Sequence, residues 1–342
     1  MIQQTLFAAN NFYMETPTTN RTIRWAILGP GRIAHKFASD LLQVPQSELW
    51  AVASRDLAKA QAFASTYHAP RAFGSYLSML EDPDIDAVYV ATPHALHYEH
   101  TLMCLEHRKA VLCEKPFAMN TGQVNSMIAT AQSQGILLME ALWTAFLPHF
   151  QAAVKLIREG AIGEVLGLEA AFGFQPDFDP QSRVFARNMG GGSLLDIGIY
   201  PIFAAHAFLG MPEKIQSSAT FFENGVDSSC QMTLQYPDGV SARLYSTFLE
   251  NIPIQATIQG SKGKMIIHAP FHAPSGFTID HTNGEVEHFT FAGSAHGYNY
   301  EIAHFNNLIR EGKTQSEVMS FLRSRQIMEI LDGVREKIGL NY

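Results

Sequence analysis

The feature that most constrains this chain is Gly29-Pro30-Gly31-Arg32-Ile33-Ala34, which follows directly on the apolar run Ile23–Leu28. A strand that feeds Gly-x-Gly-x-x-Ala and then a helix is the pattern of a dinucleotide-binding βα unit. Gly29 permits the tight turn, Gly31 lets the backbone approach a pyrophosphate, and Ala34 lets the helix pack closely on the strand. The helix opening at Arg32 and Ile33 aims free N–H groups and the positive end of its dipole at the phosphates. Alone, the motif fits an ordinary glycine turn equally well. Its flanks decide: Thr22–Leu28 has the composition of a buried parallel strand, and Ile33–Leu42 that of a helix with one apolar face.

The same alternation continues through the first half. Trp50–Ala53, Ala87–Ala91, Ala110–Cys113 and Ile136–Met139 read as short apolar strands. Asp56–Tyr67, capped by Asp56, and Tyr98–His107 read as helices, as does a segment capped by Asn120 or Thr121 and ending near Gly135. Short apolar strands alternating with helices predict a parallel sheet covered on both faces. The second half changes character. After a helix near Phe150–Glu159, long strand-like runs dominate, with hairpin signals at Asp238-Gly239 and Asn283-Gly284. A helix over Gly192–Leu209 is inserted early, and helices over Tyr298–Glu311 and Val318–Ile338 close the chain. The expected fold class is α/β: an N-terminal Rossmann doubly wound parallel sheet over 21–142, then a C-terminal α+β domain over 143–342 with a large, mostly antiparallel open sheet. Residues 1–20 are expected to be a flexible N-terminal extension without a basic and then apolar leader pattern, and Met14 offers a second possible start.

Bulk properties narrow the function classes. The 342 residues carry a formal net charge of −8 and no long run of Lys or Arg, which disfavours nucleic acid as a partner. No apolar run is read as long enough for a membrane span. Three cysteines, Cys104, Cys113 and Cys230, make no disulfide framework and lack metal-type spacing, so buried thiols in the cytoplasm are expected.

Ligands of a parallel sheet bind beyond the carboxyl ends of the strands, so the residues there carry the chemistry. The second strand ends at Ser54-Arg55, where an NAD site would place an acid for the ribose 2′-hydroxyl. Arg55 suits a 2′-phosphate instead, with Lys59 one helical turn on, so NADP is favoured and NAD remains open. Asp56 is a displaced candidate for that ribose acid, but helix capping is its simpler job. The next strand end, Thr92-Pro93-His94, with His97 and His100 following, reads as pocket lining ahead of metal ligation, so no metal site is expected. Glu114-Lys115-Pro116 is either a proton-handling pair or a structural ion pair. Gly190-Gly191-Gly192 leads into a helix on which Asp196 and Tyr200, four residues apart, share one face. There Tyr200 is a candidate acid or base and Asp196 a candidate to orient a substrate hydroxyl or Lys115. Alternatively, Asp196 caps locally and Tyr200 packs on the sheet. Phe172, Phe174, Phe178 and Arg183 are candidate pocket walls, with core packing an equal account of the aromatics.

Together, the glycine turn, Glu114-Lys115-Pro116 and Gly-Gly-Gly-Ser-Leu-Leu-Asp196-Ile-Gly-Ile-Tyr200 resemble the glucose-fructose oxidoreductase and inositol dehydrogenase (Gfo/Idh/MocA) family from about residue 22 onward. Glu140-Ala141-Leu142-Trp143-Thr144 and His296-Gly297-Tyr298-Asn299-Tyr300-Glu301 are similar to its branch of dimeric dihydrodiol dehydrogenase and NADP-dependent D-xylose dehydrogenase. The resemblance implies a two-domain enzyme with NADP at the strand ends and His94 beside the nicotinamide. It further implies Lys115 as the active-site lysine, Tyr200 as acid/base, Trp143 in the substrate pocket, and a homodimer through the open sheet face. Ala145 stands where that branch often has Arg.

The expected activity is hydride transfer between the nicotinamide and a sugar, polyol or vicinal diol, with proton transfer by Tyr200 and Lys115, whose roles are exchangeable. Two alternatives remain: an NAD-dependent glycoside hydrolase on the same scaffold, and a non-catalytic NADP-sensing regulatory protein.

Overall fold

In the computed structural model, which describes residues 2–7, 21–177, 179, 182–291, 293 and 295–342, the chain divides into two units. One comprises Thr144–Gly293 and Gln326–Tyr342 with the strand β1 (Ile2–Phe7); the other comprises the segment ending at Trp143 together with Ser294–Arg325.

The second of these is built on strands β2 (Ile23–Leu28), β3 (Ser47–Ala53), β4 (Arg71–Phe73), β5 (Ala87–Val90), β6 (Ala110–Glu114) and β7 (Leu138–Ala141). They run in the order β4-β3-β2-β5-β6-β7, every pair parallel. Helices α1 (Arg32–Leu41), α2 (Leu57–Tyr67), α3 (Tyr76–Leu80), α4 (His97–Glu106) and α5 (Thr121–Gln134) connect them. All residues of β5 and β7 are buried, as strands covered on both faces require. Asp56 caps α2 by accepting from the Ala58 and Lys59 amides, and Asn120 caps α5 by accepting from the Gln123 amide. Strand order reverses between β2 and β5, so their ends face the crevice where such sheets take ligands.

This unit does not end at residue 142. Its last part is the segment 294–325, which includes the helix Tyr298–Arg310 and which the sequence placed with the second domain. Two side chains account for the difference. Trp25, fully buried in β2, donates its indole N–H to Asn306 Oδ1 at 3.0 Å and packs its ring against Phe37 and Phe305. Asp40, fully buried at the end of α1, accepts the Gly297 and Tyr298 amides at 2.9 Å each on Oδ2, and the His296 amide at 3.1 Å on Oδ1. A carboxylate at the first turn of a helix satisfies its orphan donors and complements its dipole.

The other unit holds a sheet of β1, β8 (Val165–Gly173), β9 (Lys214–Phe221), β10 (Asp227–Gln235), β11 (Ser241–Thr247), β12 (Ala256–Gly260), β13 (Gly263–Ile267), β14 (Phe277–His281) and β15 (Val286–Phe291). It is mostly antiparallel; only β11 with β8 and β1 with β15 run parallel. Asp238-Gly239 and Asn283-Gly284 turn the β10–β11 and β14–β15 hairpins as expected. The expected flexible extension is corrected for its first part, because Ile2–Phe7 pair with β15. Leu168, Ala170, Phe172, Leu244, Met232 and Leu234 are buried on one sheet face, while Glu169, Arg243 and Gln231 between them are exposed. The helices Pro148–Arg158 and Ile199–Leu209 pack against this sheet and against each other. The stretch Arg187–Leu209 is, contrary to the sequence reading, long and apolar enough to cross a membrane by length and composition, but 89% of its apolar 18-residue window is buried in the protein as a core element.

Replacing Asp40 by Ala leaves several buried amides of the Tyr298 helix start without an acceptor. The variant should lose about 3 kcal/mol of unfolding free energy. Denaturant unfolding checks this; a midpoint equal to that of the wild type would refute the role given to Asp40.

Candidate active site

At the end of β2 the backbone turns at Gly29, with φ +92°, a conformation that disfavours a side chain. A Cβ there would lie 2.8 Å from Thr92 Cγ2, so the turn after β2 presses directly on the end of β5. Gly31, the residue before α1, is the opposite case: a Cβ on it would meet nothing within 4 Å. The start of α1 has no side-chain cap. Ala34 is fully buried beneath it, Ile33 is half-buried, and Arg32 is exposed on the first turn. An uncapped helix start beside an open glycine is the cradle a pyrophosphate requires, and the residues present fit a dinucleotide.

At the end of β3, Ser54 is buried and its hydroxyl accepts the Asp56 amide at 3.2 Å. Burial raises the pKa of the Tyr76 hydroxyl, on the first residue of α3, and the exposed Arg55 guanidinium opposes that shift. The Tyr76 ring stands edge-on to His100 at 4.9 Å, and His100 Nδ1 lies 2.9 Å from the Thr92 hydroxyl. Burial lowers the His100 pKa; Glu99 opposes this and Arg55 adds to it. Lys59 is exposed and lies 4.0 Å from the Asp56 carboxylate. Asp56 is occupied as a helix cap, the simpler of its two readings.

Beyond β5, Thr92 and His94 are buried, and Pro93 opens the short turn His94–Leu96. His97 is fully buried, with Nε2 2.8 Å from the Thr92 carbonyl and Nδ1 2.8 Å from the Pro116 carbonyl. It therefore clamps the loop after β5 to the loop after β6. In that second loop Lys115 is half-buried, and the buried Glu114 accepts the Lys115 amide at 3.1 Å on Oε2 and the Tyr89 hydroxyl on Oε1. The Phe117 amide donates to Glu140 Oε1 at 3.0 Å. Among the described residues, no group of three or more His, Cys, Asp or Glu is arranged to hold a metal ion. Trp143, expected as a substrate wall, lies at the end of this unit and stacks on Tyr298 at 4.6 Å with planes 7° apart.

The second unit carries the remaining candidates. The expected single helix over Gly192–Leu209 is a π-helical turn, Leu194–Gly198, followed by an α-helix from Ile199. Asp196 and Tyr200 thus flank a change of helical pitch and do not occupy a plain i, i+4 face. The start of this turn is held by Asp227, fully buried on β10. Its Oδ2 accepts the Ser193 hydroxyl and the Leu194 amide at 2.7 Å each. Gly192, with φ +113°, passes so close that a Cβ would fall 2.0 Å from Asp227 Oδ1. Asp196 is 6% exposed and takes an ion pair from Arg183 at 3.1 Å. Tyr200, also 6% exposed, packs against Phe172 at 5.5 Å and His272 at 4.8 Å. Phe174 packs on Phe172 and Phe248, and Phe178 lies outside the described residues. Ala145 is buried, so no cation stands at that position.

Burial sets the electrostatics. It pushes Glu140 up to about 7, with the Ser324 hydroxyl and the Phe117 amide pulling the other way. Glu301 is fully buried, with no hydrogen-bond partner for either carboxyl oxygen among the described residues. Burial first, then the neighbouring Glu114 and Asp40, hold it well above the usual carboxylate range. Sequence reasoning did not assign Tyr76, Glu140, Asp227 or His272 to the site. Each acts through a contact between segments far apart in sequence, and no local motif announces it.

Comparison with known proteins agrees with this architecture. Residues 23–142 match the model of the oxidoreductase family with an NAD-binding Rossmann fold, and residues 150–266 match the GFO/IDH/MocA C-terminal domain. The chain is 36% identical over 332 residues to mouse trans-1,2-dihydrobenzene-1,2-diol dehydrogenase, covering 94% of this chain and 98% of that protein. Among solved structures, it is similar to a 3-ketoreductase from Actinomadura kijaniata in complex with NADP and TDP-benzene. That likeness has a TM-score of 0.84 and 28% identity, covering 93% of this chain and 98% of the other. An aldose-aldose oxidoreductase from Caulobacter crescentus, complexed with glycerol, also gives a TM-score of 0.84, at 26% identity over 93% of this chain and 97% of the other.

Asp227 gives this site a measurable pH signature. Burial pushes its carboxyl up to about 6, against the hydrogen bonds from Ser193 and Leu194. The folded value lies above the unfolded one of about 3.9, so the folded state binds the proton more tightly. That contribution is complete below about pH 4 and is lost as pH rises through the folded value. Asp227→Asn carries no such titration. Between pH 4 and pH 7 the stability difference should move by about 2 kcal/mol in favour of the variant. Urea unfolding across this range checks it, and a pH-independent difference would refute it.

Proposed function

The chain belongs to the Gfo/Idh/MocA oxidoreductase family, and we propose that it transfers hydride between NADP and a carbinol carbon of a sugar, polyol or vicinal diol. The observation that carries this reading is the open side of Gly31 at an uncapped helix start, placed where the strand order reverses. Arg55 supports NADP over NAD, since it stands at the end of β3 where a 2′-phosphate is met by a charge-assisted hydrogen bond. A similar solved 3-ketoreductase carries NADP, and similar curated proteins act on a dihydrodiol.

When bound, the nicotinamide supplies the hydride acceptor or donor. Gly29 and Gly31 with the start of α1 would hold the pyrophosphate, Ser54, Arg55 and Lys59 the ribose end, and Thr92, Pro93 and His94 the nicotinamide end, with the buried His97 fixing the loops behind them. In the oxidising direction, the Tyr200 hydroxyl oxygen takes the proton from the substrate hydroxyl. The Lys115 ammonium lowers the cost of the negative charge that develops on oxygen. In the reducing direction the same two groups return the proton. Asp196, held by Arg183, orients the substrate, with Phe172 and Trp143 supplying apolar contact. The buried, unpaired thiols fit a cytoplasmic setting.

The partner read for the outward face of the large sheet is a second copy of this chain. That face carries a groove of about 550 Å³ whose lining includes Glu169, Gln231, Thr233, Arg243, Tyr245 and Thr257. Polar side chains interrupted by a tyrosine make a self-complementary surface suited to a twofold contact. Light scattering at micromolar concentration should give the mass of a dimer, and Tyr245→Glu should give a monomer. A monomeric wild type would refute this partner.

Absorbance at the reduced-nicotinamide band should change with NADP and at least one aldose, inositol or vicinal diol. Tyr200→Phe and Lys115→Met should each lower kcat by about 100-fold or more while cofactor binding persists. Arg55→Ala should weaken NADP far more than NAD. Near-normal turnover in both site variants would refute the mechanism, and equal loss of both cofactors would refute the role of Arg55.

A further inference from the structure

The parallel ladder between β5 and β6 stops at the pair Val90 and Cys113. Beyond it the chain enters two loops of the candidate site, and each carries a proline, Pro93 or Pro116, with no N–H to give. His97, the fully buried first residue of α4, joins these loops instead. Its Nε2 lies 2.8 Å from the Thr92 carbonyl oxygen and its Nδ1 2.8 Å from the Pro116 carbonyl oxygen. Both partners are acceptors, so both ring nitrogens must be donors. We propose that His97 is a positioning residue held as the doubly protonated imidazolium, and that its two N–H groups set the spacing between the loop of His94 and the loop of Lys115.

A neutral imidazole carries one N–H and one bare lone pair. In either tautomer that lone pair would face a carbonyl oxygen at 2.8 Å, an acceptor against an acceptor, on a side chain closed to solvent. Turning the ring over would set Cδ2 and Cε1 against the same two oxygens and take the nitrogens away from both. Only the imidazolium satisfies both carbonyls, and its two charge-assisted bonds oppose the desolvation cost of the cation. The titratable residues around it are His94, edge-on with ring centroids 5.8 Å apart, Glu99 and His100 on α4, and Glu114 and Lys115 just before Pro116. His100 is turned to the Thr92 hydroxyl at 2.9 Å, so one histidine holds this threonine by its carbonyl and another by its side chain. An imidazole ring has no torsion between its two nitrogens, so loops bonded to both keep a fixed distance. A glutamine has a single donor nitrogen and would leave one carbonyl behind.

The positioning role rests on the reading of the Lys115 loop as the acting one; the protonation state does not. Nitrogen-15 NMR of the wild-type protein without cofactor, at about pH 8, where an ordinary histidine is neutral, tests the latter directly. The His97 ring, assigned through its own backbone, should carry a proton on each nitrogen, both at the protonated shift. One nitrogen at the unprotonated shift would overturn the proposal. Amide hydrogen exchange, also without cofactor, then compares wild type with His97→Gln. Leu96 and Phe117, whose amides are bonded to the Pro93 carbonyl and to Glu140 Oε1, should exchange about tenfold faster or more in the variant, while the strand amides of Val88 and Val111 keep their wild-type rates. An equal rise at all four marks a plain loss of stability and overturns the positioning role, as do four unchanged rates. With NADP and substrate, kcat in His97→Gln should fall about tenfold with KM for NADP little changed, and an unchanged kcat counts against the role in the same way. If His97→Gln does not fold, the wild-type spectrum decides alone. Normal turnover in Lys115→Met, by contrast, refutes the acting-amine reading whatever the spectrum shows.

Discussion

Gly29 lies so close to Thr92 that no side chain fits between the turn after β2 and the end of β5. The organisation of the parallel-sheet unit follows from that contact. Thr92 is held from below by Gly29, its hydroxyl meets His100, and its carbonyl meets His97. His100 leans on Tyr76, whose hydroxyl feels the charge of Arg55. His97 reaches across to Pro116. The loops after β2, β3, β5 and β6 are thereby wired to one threonine. A ligand that spans these loops meets a surface already set, so little conformational entropy is lost in shaping it.

A second theme is the use of buried carboxyls to hold backbone. Asp40 gathers the amides at the start of the helix Tyr298–Arg310, Glu114 and Glu140 grip the Lys115 loop, and Asp227 seizes Ser193 and Leu194. Each burial carries a desolvation cost, which hydrogen bonds from backbone N–H groups partly offset. Where two such groups crowd, the outcome differs. Glu301, near Glu114 and Asp40 and without a hydrogen-bond partner among the described residues, is held well above the usual carboxylate range by burial. The same devices serve fold and site at once, since they act on the segments that present Lys115 and that lead to Asp196 and Tyr200.

Much of this was legible in order along the chain. The glycine turn, the caps at Asp56 and Asn120, the two hairpin turns and the run of parallel strands are local signals, read from residues within a few positions of one another. The π-helical turn before Tyr200 was not legible, since its start is held by Asp227, more than thirty residues away. The return of residues 294–325 to the parallel-sheet unit was likewise hidden: it depends on Trp25 and Asp40 meeting Asn306 and the Tyr298 helix start. The strand at Ile2–Phe7 has as its reason the exposed edge of β15, which no reading of a polar terminus reveals.

By itself, the amino-acid sequence determined the βα alternation, the nucleotide turn and the candidates for reactive side chains, since hydrophobic period and turn chemistry act over short stretches of chain. Only the tertiary structure decided which buried carboxyls hold which amides, which histidine clamps and which merely lines, and where each unit ends. Those outcomes depend on burial and on contacts between distant segments, and both come into being only when the chain has closed on itself.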